Sequence, residues 1–248
     1  MRIKRGTVTV TRAHLVIAIL SSLILIAACG RQTPLDALKS DLASVPEYSI
    51  LLEDMNEEGT FFPEYYHRYK VVTANYTAGD TSFDSYLTDW QRVREDQYVQ
   101  YENNLGMVIA SRGEEGEMSE SGYPPGYQYV GDSRYGQWRT DGNGSTFWEF
   151  YGKYAMLQTV FGMMSGPVYR GDWDDYRTNR RNNRPYYGSR NQYGTGGAQT
   201  KKTNPTFFQR RQQREASSRK SFSDRVQERT RRSNMSKTRT RSSKGFGK

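Results

Sequence analysis

Tyr48-Ser49-Ile50-Leu51-Leu52, a turn from Asn56 to Gly59, and then Phe61 through Tyr76 with Tyr69, Val71 and Val72 set the architecture. Two apolar and aromatic runs joined by a short polar turn read as paired antiparallel strands. Working outward, Tyr86 to Val93 predicts a third strand. Glu95 to Leu105 predicts a short helix stopped at Gly106, and Met107 to Ala110 a further strand. On the N-terminal side, Thr33 followed by Pro34 and then Leu35, Leu38 and Leu42 predicts a short amphipathic helix, with Pro in the first turn where its missing N–H costs nothing. On the C-terminal side, Thr146 and Glu149 fit a capping box. Phe147, Phe150, Tyr151, Tyr154, Leu157 and Phe161 follow at helical spacing, predicting a helix that lays an aromatic face on the sheet. Pro124-Pro125-Gly126-Tyr127 and Asp141-Gly142-Asn143-Gly144 punctuate the chain as turns. The expected fold class is α+β, a small antiparallel sheet with helices on one face, followed by a long disordered basic tail.

Charge divides the chain. Residues 29–170 carry 11 Lys and Arg against 21 Asp and Glu, whereas residues 171–248 carry 21 against 6. The overall net charge of +9 therefore hides an acidic body and a basic tail. About 130 residues of body suffice for one small hydrophobic core. From Gly171 onward Val226 is the only Val, Ile or Leu, so the tail is expected to stay disordered for want of apolar area to bury.

The first 28 residues have another character. Arg2, Lys4, Arg5 and Arg12 precede an apolar run from Leu15 to Ile26, and Ala27, Ala28 and Cys29 close it. A positive start, a short apolar stretch and small residues before a cut are the parts of a secretory signal. The rival is a retained membrane helix, but a bilayer core asks for about 20 apolar residues and this run is shorter. Leu25-Ile26-Ala27-Ala28-Cys29 resembles the lipobox of bacterial lipoproteins, departing from its usual pattern at Ile26. The resemblance implies cleavage before Cys29 and lipidation of its thiol, with palmitate-type acyl chains. Gly30 stands where such proteins often carry an Asp that retains them at the inner membrane, so the resemblance also allows sorting to an outer membrane. A second stretch, Pro124 to Gly131, Tyr135-Gly136-Gln137-Trp138 and Phe147 to Tyr154, is similar to a segment of bacterial lipoproteins of no established activity. The expected division is thus 1–28 signal, 29–34 lipidated cysteine and tether, 35–165 acidic α+β domain and 166–248 Arg-rich tail.

Composition restricts the chemistry. Cys29 is the one cysteine, so no internal disulfide can form. His14 falls in the signal segment and leaves His67 alone, on a strand beside Tyr65, Tyr66 and Tyr69. No Cys/His zinc site and no Cys–His nucleophile can be assembled, and a strand histidine among tyrosines reads as a packing residue. Asp141, Asn143 and Ser145 begin like a calcium loop, but Thr146 and Gly152 occupy the positions that need Gly and Glu. Glu114, Glu115, Glu117 and Glu120 read as a solvated acidic loop. No catalytic residue, metal site or cofactor is therefore expected. The tail interleaves arginines with Tyr186, Tyr187, Tyr193, Phe207, Phe208 and Phe222, a pattern that suits nucleic acid in the cytoplasm. Outside it, the expected partners are the membrane through lipid on Cys29, and anionic lipid, wall polymer or an acidic protein through the tail. Folding of the tail back on the acidic body is equally open. The alternative reading is a ligand- or protein-binding domain with an aromatic lining, for which Trp138, Trp148 and Tyr151 are the candidate contacts.

Overall fold

The computed structural model of the chain describes residues 32–59, 62–77, 80–161 and 167–241. Cys29 and the expected signal segment, residues 1–28, lie outside the described residues. The chain forms two compact units, residues 1–43 and 44–248. In the first, helix α1 (Pro34–Asp41) starts as its sequence dictates: Thr33 Oγ1 accepts from the Asp36 N–H at 3.0 Å, Pro34 occupies the first turn, and Lys39 pairs with Asp36 at 2.7 Å.

The second unit is built on an antiparallel sheet. Strands β1 (Glu47–Glu58) and β2 (Glu64–Thr77) form a long hairpin, with Glu47 opposite Ala74 and Glu58 opposite Glu64. Gly59 adopts φ +85°, a conformation open to glycine, where the chain turns. Strand β3 (Asp80–Leu87) extends the sheet beyond β2, and β4 (Gln91–Val93) pairs with the other half of β2. On the far side of β1 come β5 (Val108–Arg112) and the short β6 (Met118–Ser119). The fold class is α+β. The third strand expected over 86–93 is two strands, because Thr88, Asp89 and Trp90 break away between β3 and β4.

Period-two alternation fixes which side chains share a face. Leu51, Val72 and Ala74 lie on one face and join Phe83 and Val108 in the main core. Tyr48, Ile50, Leu52, Tyr69 and Val71 lie on the other and are also buried. The main core is unusually rich in tyrosine: Tyr123, Tyr127, Tyr129, Tyr135, Tyr154, Tyr176 and Tyr186 are all buried in it. Their rings meet edge-on or tilted, as in Tyr129–Tyr135 and Tyr135–Tyr154, both with centroids 5.1 Å apart. Each such pair adds about 0.5–1.5 kcal/mol beyond its buried area. Helix α2 (Glu95–Gln100) lies on the opposite face, where Tyr98 stacks on His67 at 5.6 Å and meets Tyr65 at 4.8 Å.

Two expectations need correction. The helix expected from Thr146 does not begin there: Thr146–Phe150 is strand β8, paired with β7 (Gly136–Thr140) so that Trp138 faces Trp148. Asp141 to Gly144 is the hairpin turn between them, with Asp141 Oδ1 accepting from the N–H groups of Asn143 and Ser145 at 2.9 Å. The β-branched and aromatic alternation of Thr-Phe-Trp-Glu-Phe outweighs the capping-box spacing. Only the second half of the expected periodicity is helical. A 3₁₀ turn (Gly152–Tyr154) and helix α3 (Met156–Val160) bury Tyr154, Leu157 and Phe161.

The second correction concerns the boundary at 165. Helix α4 (Arg170–Arg181), the segment around Tyr186 and helix α5 (Ala198–Thr203) belong to the folded unit. Val168, Tyr176, Tyr186, Gln199, Thr200 and Phe207 are all buried. The Tyr186 N–H donates to the Gly122 carbonyl at 2.8 Å, and the Thr195 N–H to that of Asn103 at 3.1 Å. Aromatic rings here supply the apolar area that a count of aliphatic residues overlooks.

Candidate functional site: a basic helix clamped to an acidic strand

The basic segment after Asn204 is one long helix, α6 (Pro205–Arg241). At about 1.5 Å per residue its 37 residues span about 55 Å. Pro205 starts it, where a missing N–H is tolerated. Its first turns are fixed to the second half of β1. A register shift between Leu52 and Asp54 lets the strand bulge there, a device that re-aims side chains and frees backbone groups. Asn204 Nδ2 donates to the Glu53 carbonyl at 2.6 Å. Arg210 reaches the Asp54 carboxylate at 2.6 Å and the Met55 carbonyl at 3.2 Å. Arg214 bonds both the carbonyl and the carboxylate of Glu57, at 2.6 Å and 2.9 Å. Phe207 is only 4% exposed and packs against Phe208, with ring centroids 5.1 Å apart. The Asp54 side chain is 15% exposed, so its pair with Arg210 is partly desolvated and outranks an ordinary surface salt bridge.

Beyond Glu215 α6 changes. Over residues 216–228 the side chains that the structure describes are exposed, Phe222 at 66% and Val226 at 45% among them. Residues 216–248 carry eleven Lys and Arg against two Asp and Glu. A helix polar all round cannot owe its order to a buried stripe, so its docked base is what the fold supplies. Where the sequence left open whether the tail folds back on the acidic body, its base does.

The aromatic candidates fall into different settings. Trp148 is buried in the core. Trp138, across the hairpin, meets it edge-on at 5.1 Å and meets Trp173 of α4 at 5.4 Å. The Arg170 guanidinium sits 4.7 Å from the centroids of both Trp138 and Trp173, and Arg177 covers Trp173 at 4.6 Å. This tryptophan–arginine ladder ties α4 to the β7–β8 hairpin. Gly131, at φ +87°, lies directly against Trp173, with no room for a Cβ. Tyr151 is exposed and stands apart from the ladder's stacked rings. The three candidates thus do not converge on one groove, and the faces of Trp138 and Trp173 already carry arginines.

His67 is buried, with Nδ1 3.1 Å from the Tyr69 hydroxyl, and burial lowers its pKa to about 4. The acidic run is partly engaged: Glu114 pairs with Arg134, and Glu117 lies 3.8 Å from Arg180. Among the described residues no group of three or more His, Cys, Asp or Glu side chains could hold a metal ion, and no helix is long and apolar enough to cross a membrane. Sequence reading missed Arg210, Arg214 and their acceptors on β1. The signal was present as arginines four apart, one helical turn, following the buried Phe207.

Fold and site together define an acidic α+β body that holds a basic helical arm by its base. No family model matches the chain, and neither a curated protein nor a solved structure does.

Proposed function

We propose that the protein is a lipid-anchored component of a bacterial cell envelope that presents α6 as a cationic arm to an anionic surface. On this reading Cys29 carries the lipid, the body sits outside the cytoplasm at the cell membrane or an outer membrane, and no catalysis is involved. One observation carries the proposal: α6 is clamped at Arg210 and Arg214, while beyond Glu215 it carries nine cationic residues against two acidic ones and its described side chains are exposed. A fixed base removes part of the ordering cost of engaging a surface. Each Lys or Arg near an anionic membrane then contributes about 1 kcal/mol, reduced by salt. The lipid on Cys29 supplies the first membrane signal and the polybasic helix the second, the combination that makes anchoring stable.

The test is co-sedimentation of a 30–248 fragment with anionic and with zwitterionic vesicles, beside a fragment ending at Glu215. The cut leaves the clamp and Phe207 in place. Salt-sensitive binding to anionic vesicles by the longer fragment alone supports the arm. Equal binding by both fragments contradicts it.

A further inference from the structure

A cavity of about 170 Å³ opens over the first residue of β1 and is bounded by Gln128, Tyr129, Asp132, Arg134, Tyr135 and the acidic β5–β6 connection. Its floor is the Glu47 side chain, on a residue only 5% exposed. In-phase alternation with Ser49 and Leu51 turns Glu47 inward. One carboxylate oxygen accepts from Gln128 Nε2 at 3.2 Å and the other from the Tyr76 hydroxyl. Gln128 is itself held, since its carbonyl oxygen accepts from Ser49 Oγ at 2.9 Å and from the Tyr123 hydroxyl at 2.5 Å. Glu47 is therefore fixed in place by neutral donors, and among the described residues no cation pairs with it. A buried carboxylate in that condition is costly.

The cavity walls hold a second, independent feature. Tyr129 and Tyr135 are each 1% exposed, yet neither hydroxyl makes a hydrogen bond of good geometry: that of Tyr129 only approaches Glu47 and Gln128, and that of Tyr135 only approaches Tyr76. Buried polar groups are normally satisfied, and those that are not call for a ligand or an ordered water. The charge at the mouth is unbalanced as well. Arg134 is consumed by Asp132 at 2.6 Å and by Glu114, and Arg180 lies 3.8 Å from Glu117. Neither Glu115 nor Glu47 forms an ion pair among the described residues, and Arg134 acts on Glu47 only through space. The ring faces of Tyr129 and Tyr135 complete an environment that attracts positive charge.

We propose that this cavity binds a small organic ammonium ion, its N–H groups donating to the Glu47 carboxylate and to the Tyr129 and Tyr135 hydroxyl oxygens. A primary ammonium has three donors, and the site offers three acceptor groups, one carboxylate and two hydroxyls. The inference is independent of the membrane-arm reading.

Burial raises the pKa of Glu47, opposed by the Tyr76 and Tyr129 hydroxyls and by the charge of Arg134, and an ammonium ion binds the ionised form. Asp132, beside Arg134, is held below the usual carboxylate range, Arg134 and Arg180 above the usual guanidinium range, and the Tyr76, Tyr129 and Tyr135 hydroxyls above the usual phenol range; Glu114, Glu115 and Glu117 also face the cavity. Affinity is thus set by Glu47 and rises with pH through its raised pKa.

Calorimetric titration of the full chain in detergent with ethylammonium tests this, with ethanol and acetate as controls. The expected dissociation constant is about 1 mM, the level that three non-hydrogen atoms can reach. Binding should strengthen as pH rises through the raised pKa of Glu47, while the alkylammonium itself stays protonated. Glu47→Gln should weaken it at least ~10-fold, and Tyr129→Phe or Tyr135→Phe several-fold. Absence of ethylammonium binding, acetate binding as tightly, or unchanged affinity in Glu47→Gln overturns the proposal. Should Glu47→Gln fail to fold, by near-ultraviolet circular dichroism, unchanged affinity in both tyrosine variants overturns it equally.

Discussion

His67 shows how one side chain can tie this fold to pH. Its imidazole lies between Tyr69, Tyr98 and Tyr101, and burial holds its pKa at about 4, below the ordinary 6.5. The unfolded chain binds this proton more readily than the folded one, so the contribution is complete above about pH 6.5 and is lost as pH falls toward 4. The loss amounts to about 3 kcal/mol. Urea unfolding should therefore weaken across that window in the native protein. In His67→Gln the part of the slope due to His67 should vanish, and an unchanged slope would refute the assignment. Gly144 and Gly142 form a second residue-scale test. Gly144 has φ +82° and Gly142 does not, while a Cβ on either would meet open space. Gly144→Ala should cost about 1–2 kcal/mol from backbone conformation alone, and Gly142→Ala close to nothing. Thermal unfolding of the pair measures the difference.

At the scale of elements, strands β1 and β2 and helix α1 were legible, because each carries a local signal that tertiary context reinforces. The helix expected over Glu95 to Leu105 ends earlier, at Gln100 with Tyr101 as its cap, and Gly106, at φ +73°, instead turns the chain toward β5. Thr146–Phe150 was not legible. Thr146 and Glu149 satisfy the helix-start spacing and the strand alternation at once, and only the partner β7 resolves the conflict. Segments 168–208 were misjudged because their burial rests on Trp173, Tyr176, Tyr186 and Phe207, and in an Arg-rich context such rings resemble a nucleic-acid pattern. The Glu47 cavity was invisible for a different reason: its parts lie on β1, the β5–β6 connection, the loop before β7 and α4, brought together only by folding. The docking of α6 makes an element-scale prediction. Phe207→Ala should remove about 3 kcal/mol of local stability. Arg210→Ala should cost about 1.5–3 kcal/mol by leaving Asp54 unpaired. Because these contacts hold only the base of α6, hydrogen exchange should accelerate in residues 205–215 well before the sheet is affected. Uniform acceleration across β1 and β2 would mean that the helix is integral to the core.

For the whole molecule, the net charge of +9 is a poor guide, since it sums an acidic body and a basic arm that the fold keeps distinct while joining them at one clamp. On the proposed function, the outer part of α6 is what meets an anionic surface. With Cys29 the one cysteine, a 30–248 fragment accepts a single environment-sensitive dye at Phe222→Cys on α6 or, as a control, at Gln137→Cys on β7. On anionic vesicles the dye at position 222 should shift to the blue, and about 0.5 M salt should reverse the shift. The dye at position 137 and zwitterionic vesicles should give no change. A response at 137 with none at 222, or a shift at 222 that ignores both lipid charge and salt, would contradict the account.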